Sequence, residues 1–120
     1  MTRAGCLLML LTLAIATPAP AQTPAPDAAK IERGRVVHDY WCATCHSAGR
    51  GMPGTAALAV KYKGQPTIPP VLADRTNLTP ASIKFFVRNG VSVMPFFRKT
   101  EIGDADLDAL TMFLMRGRKP

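Results

Sequence analysis

The densest group of reactive side chains is Cys42-Ala43-Thr44-Cys45-His46. C-x-x-C-H is the attachment pattern for c-type haem. Two thiols three residues apart on a helical turn can each form a thioether with one of the two haem vinyl groups. The next residue then stands under the ring plane, where His46 presents an imidazole nitrogen to the iron. Metal-bound histidine usually donates its other N–H to a carbonyl, and Pro53, in Gly51-Met52-Pro53-Gly54, is the candidate acceptor for Nδ1–H. Three other chemistries use the same residues. Zinc would need Cys42, Cys45, His46 and His38 together, with two adjacent ligands and no second C-x-x-C. A thioredoxin-like dithiol is echoed by Trp41-Cys42-x-x-Cys45, with Met94-Pro95 in place of a cis-proline loop, but needs a strand before the motif. A structural disulfide is the third.

A second iron ligand is sought among the methionines. Met52 follows His46 too closely to reach the opposite side of a ring, and Met112 and Met115 fall in a helical pattern where Met is usually core filler. Met94 stands in a loop before Pro95, whose fixed φ stiffens the chain there, 48 residues after His46. It is the candidate thioether ligand.

The elements that must position these groups read as three helices without strand alternation. The first spans Ala28 to Trp41, with Asp27 as N-cap and Ile31, Gly34, His38 and Trp41 on one face. The second starts at Thr79-Pro80, a cap followed by proline at the first helical position, and stops at Gly90. Ile83, Phe86 and Val87 form its stripe. The third starts at Asp104, with Asp106 and Asp108 favouring the positive end of the dipole, and stops at Gly117; its inner face is Leu107, Leu110, Phe113 and Leu114. Ala48 to Asn77 is Gly- and Pro-rich and reads as one long loop. Such a loop is unusual in a small domain unless it wraps a large prosthetic group.

The chain has 120 residues and a formal charge of +7, with 48% hydrophobic residues. That is one domain, too short for a barrel or a two-domain dinucleotide enzyme and too apolar for a disordered basic tail. Residues 1–21 read as a cleaved secretory signal: Arg3, the apolar run Cys6 to Ala16, then Ala19-Pro20-Ala21. The run is too short to span a bilayer, which takes ~20 residues, so no stable membrane anchor is expected. Cys6 is discarded with the signal, which leaves two cysteines. Residues 22–27 form a flexible lead-in and 28–120 the domain. Export places the protein in the periplasm.

The chain resembles the class I c-type cytochromes over most of its length. Gly34, His38 and Cys42 keep that family's spacing of glycine, aromatic and first haem cysteine, although His38 stands where Phe or Tyr is usual. Gly90-Val91-Ser92-Val93-Met94-Pro95 is similar to its Met-Pro loop, and Leu110-Thr111-Met112-Phe113-Leu114 to its last helix. The resemblance implies an all-α small cytochrome c fold, three main helices and long loops around one covalent haem c. It implies attachment at Cys42 and Cys45, and His46 and Met94 as axial ligands. It also implies crossing first and last helices, with Gly34 allowing close approach. His38 then belongs to helix packing rather than to the iron. Phe86 to Phe96, with Asp106 to Leu114, is similar to the cytochrome subunits of p-cresol methylhydroxylase-type flavocytochromes. That implies a flavoprotein partner that oxidises alkylphenols.

With His46 and Met94 both on iron, no position stays open for substrate, and the site moves single electrons; a labile Met94 would instead make a haem sensor. A His/Met pair raises the potential, and Leu58, Leu72, Val93, Phe96 and Phe97 are candidate pocket walls. Arg50, Lys61, Lys63, Arg98, Lys99 and the tail Arg116, Arg118 and Lys119 could border the haem edge and meet an acidic face on a redox partner. No nucleic-acid motif is present.

Overall fold

A computed structural model describes residues 26–116. Five α-helices follow in order: α1 Pro26–Trp41, α2 Ala43–His46, α3 Pro53–Lys61, α4 Pro80–Asn89 and α5 Asp104–Met115, with a 3₁₀ turn at Leu72–Asp74. Among the described residues the only β-type pairing is an isolated bridge between Val91 and Met94. The all-α expectation holds. The signal segment, most of the lead-in, Gly117 and the rest of the basic tail lie outside the described residues.

The spine is the crossing of α1 and α5. Their contact is close because Gly34 has no side chain: a Cβ there would stand 2.5 Å from the Ala109 carbonyl carbon and 2.8 Å from the Phe113 Cβ. Val37 and His38 of α1 bury against Leu107, Leu110, Phe113 and Leu114 of α5. The His38 ring lies 5.3 Å from that of Phe113, so His38 occupies the packing position expected of it. α4 packs on α5 through Ile83 and Val87. Its start is a reciprocal capping box, in which Ser82 N–H donates to Thr79 Oγ1 and Thr79 N–H donates to Ser82 Oγ. Thr79 was expected there; its partner Ser82 was not.

Two expectations need correction. α1 begins at Pro26, so Asp27 sits in the first helical turn, where its charge still favours the dipole, instead of capping from outside. The Ala48–Asn77 segment is not structureless. Pro53 opens α3, and the run Gly-Thr-Ala-Ala-Leu-Ala-Val has good helix formers at its centre. Gly54, Thr55, Leu58 and Tyr62 are half-buried while Ala56, Ala57, Ala59 and Val60 are exposed, which is helical spacing with a weak polar contrast. Small residues on the outer face hid the period.

Candidate haem-binding site

The motif rides on the end of α1. Cys42 N–H donates to His38 O, and His46 N–H and Cys45 N–H both donate to Cys42 O, so Cys42, Cys45 and His46 form one continuous turn through α2. Cys42 is buried in the core cluster and Cys45 is half-buried; both are free thiols. Burial pushes the Cys42 thiol up to about 12, helped by the Asp39 charge and by Cys45. A dithiol catalyst needs the opposite, a stabilised thiolate, and the element before the motif is a helix and not the strand that fold requires. Among the described residues no three His, Cys, Asp or Glu side chains are placed to hold a metal ion, so zinc has no donor geometry.

His46 is held from two sides. Thr55 Oγ1 donates to Ser47 O at 2.8 Å, clamping α3 to the chain just after the motif. Gly54 then faces the imidazole, where a Cβ would stand 2.5 Å from Cε1 and 2.7 Å from Nδ1. Burial, then the nearby His38 and Arg75 charges, holds the His46 pKa below its ordinary value. The shift favours the neutral ring, the form in which imidazole binds metals. Its Nδ1 is buried without a hydrogen-bond partner. The expected bond to the Pro53 carbonyl is absent. Pro53 is the first residue of α3, and a helical carbonyl points along its own axis.

Met94 lies in a two-residue turn in which Val91 N–H donates to Met94 O and Met94 N–H to Val91 O. Ser92 carries φ 53 in that turn, a left-handed value. Gly90, at φ 67, does more than stop α4. A Cβ on it would stand 2.6 Å from Met94 O and 2.9 Å from Phe96 N, so glycine admits the Met94-Pro95 backbone. Phe97 N–H then donates to Val87 O, closing the segment onto α4. Trp41, next to Cys42, packs edge-to-face on Phe97 at 5.6 Å. That contact brings the motif end of α1 beside the Met94 segment.

Three residues of the site escaped the sequence reading: Gly54, Arg75 and Tyr62. Arg75 is only 4% exposed. Its guanidinium donates to Asn77 Oδ1 from Nε and Nη2 and stacks on Tyr62 at 4.4 Å, with no carboxylate partner among the described residues. A buried cation without an anion is costly. A lone arginine in Leu72-Ala73-Asp74-Arg75 was the available signal.

These features fit a covalent haem. Two thiols and an imidazole share one turn, and the His46 ring rests in a cradle that a side chain would fill. An uncompensated buried cation near His46 matches a group that carries carboxylates. The apolar side chains also ask for a partner: Val93 is 83% and Phe96 59% exposed, and Leu58, Leu72 and Phe97 are half-buried.

No curated protein and no solved structure gives a significant match. The family model described as cytochrome C oxidase, cbb3-type, subunit III matches residues 29–114. The match runs from α1 through α5 and includes the motif, α3 and the Met94 turn. The chain belongs to that family, and it is a class I c-type cytochrome, an electron-transfer protein that carries covalently bound haem c.

Proposed function

We propose that the protein is a periplasmic carrier of single electrons. Cys42 and Cys45 would hold the haem as thioethers, and His46 and Met94 would be the iron's axial ligands. The observation that carries this reading is the continuous turn that presents Cys42, Cys45 and His46 together. Bound haem supplies a one-electron Fe(III)/Fe(II) couple. The chain supplies the rest. Gly54 and the Thr55–Ser47 clamp fix the His46 ring. The Val91–Met94 turn and Gly90 fix the Met94 backbone. A thioether ligand favours the reduced state, as do apolar walls that keep water away. With both ligands in place no substrate bond is made or broken.

The secretory reading of residues 1–21 supports export, and no helix among the described residues is long and apolar enough to cross a membrane. The donor we infer is a dehydrogenase, a flavoprotein oxidising alkylphenols on the flavocytochrome resemblance. The acceptor belongs to the respiratory chain, and the family's description names a cytochrome c oxidase subunit.

Carbon monoxide tests the ligand set. Reduced holoprotein at neutral pH should not bind it, while Met94→Ala holoprotein should bind it fully and show a lower midpoint potential. Rapid, complete binding by the unmodified protein would instead make it a haem sensor with a labile sixth ligand.

A further inference from the structure

The partner's landing site can be narrowed, given the electron-carrier reading on which this inference rests. Cations are spread along the chain, and six of the twelve among the described residues are paired with a carboxylate. Arg98 pairs with Glu101, Lys99 and Arg88 with Asp104, and Lys84 with Asp108. On α1, Arg33 pairs with Asp106 and Arg35 with Glu32 and Asp39. Arg98 is thus paired one to one and Lys99 shares the Asp104 carboxylate with Arg88, so the cations next to the Met94 segment are offset in large part, though not fully.

The segment from Gly49 to Gly64 is different. No Asp or Glu occurs between Asp39 and Asp74. Arg50, Lys61 and Lys63 are exposed and have no carboxylate partner among the described residues. The same segment encloses a shallow depression of about 450 Å³, lined by Met52, Pro53, Ala56 and Ala59 with Arg50 on its wall. Val60, on the outer side of α3, is 77% exposed. An apolar centre with a charged rim is the anatomy of a protein interface. This face is also the thin wall over the imidazole. The backbone of Gly54 touches the His46 ring, so a partner seated on α3 is about one helix diameter, ~10 Å, from it.

The geometry points to the outer face of α3, with Arg50, Lys61 and Lys63, as the docking surface for a redox protein whose contact face is acidic with an apolar centre. Electrons then pass on the His46 side of the molecule, through Gly54. The Met94 side, where the cations are paired with Glu101 and Asp104, is not the landing site.

Two double variants remove equal formal charge from the two sides: Lys61→Gln/Lys63→Gln and Arg98→Gln/Lys99→Gln. The probe is a gold electrode coated with a carboxylate-terminated monolayer, and the protein is the holoprotein. The readouts are the interfacial electron-transfer rate at low salt and the NaCl concentration that desorbs the protein. The Lys61/Lys63 variant should lose at least about threefold in rate and desorb at about half the salt. The Arg98/Lys99 variant should stay close to the unmodified protein. Equal losses in both would show that attraction follows net charge alone and would overturn the assignment, as would a larger loss in the Arg98/Lys99 variant. A haem spectrum and solution potential unchanged in both variants separate docking from damage to the site. An unmodified holoprotein with no reversible one-electron wave in solution would overturn the carrier reading itself, and this assignment with it.

Discussion

Gly54 and the imidazole of His46 are in backbone-to-ring contact: a Cβ at Gly54 would lie 2.5 Å from Cε1, 2.7 Å from Nδ1 and 2.8 Å from Nε2. Both groups are anchored, His46 by the motif turn and Gly54 by the Thr55–Ser47 clamp, so neither can move aside cheaply. Gly54→Ala should therefore tilt or expel the imidazole. The expected result is poor covalent haem incorporation, and in what does form, an altered Soret band and a lowered midpoint potential. Normal yield and an unchanged spectrum would show that the contact relaxes.

At the helix crossing, the obstruction facing Gly34 is the Ala109 backbone, which cannot rotate away. Overpacking of this kind costs about 2–3 kcal/mol, so Gly34→Ala should lower the melting temperature by at least ~10 °C in a domain this size. Gly103→Ala is the matched control. Its nearest neighbour would be Lys99 O at 3.8 Å and its φ of −61 suits alanine. Calorimetry on both variants checks the difference.

Arg75 places a positive charge close enough to His46 to hold down its pKa. The same charge should disfavour Fe(III) relative to Fe(II). Arg75→Gln should lower the midpoint potential on the order of 50 mV, close to a tenfold change in the redox equilibrium. Arg75→Lys should recover part of it, keeping the charge but losing the paired donors to Asn77 and the stack on Tyr62. Spectroelectrochemical titration reads both, and potentials equal to the unmodified protein would place Arg75 away from the redox centre.

Acid should weaken the α1–α5 crossing. Arg33 donates to both Asp106 oxygens, 2.7 Å from Nε and 2.8 Å from Nη2, which holds that carboxyl below its ordinary 3.8. A depressed carboxyl pKa gives stability that is fully present above the unfolded value and is lost as pH falls through the folded one. Asp104 and Asp108 are lowered in the same sense by Lys99 with Arg88 and by Lys84. Stability should thus decline below about pH 4. Asp106→Asn should be less stable than the unmodified protein at pH 7, with the gap closing toward pH 2. The effect is modest because Arg33 is exposed, and 0.5 M salt should shrink it. Denaturant melts across that range test the trend.

Much of this architecture could be read locally. The Thr79-Pro80 start, the Gly90 stop and the leucine stripe of α5 are patterns of a few residues, each with a near-neighbour cause. The C-x-x-C-H turn is likewise local, since helical hydrogen bonding alone aligns its three groups. α3 escaped because its period is written in alanine and glycine, whose small side chains give little contrast between faces. Arg75, Tyr62 and Asn77 escaped because a buried cation in an irregular segment has no periodic signature.

By itself the sequence determined the C-x-x-C-H motif, the helical class and the close-packing glycine at the α1–α5 crossing, because each depends on residue type and short spacing. Only the tertiary structure decided which cations are neutralised, that Gly54 and not a Pro53 carbonyl meets His46, and that Trp41 reaches Phe97 beside the Met94 turn. Those are relations between segments tens of residues apart. They are set by how helices dock, and no local pattern encodes them.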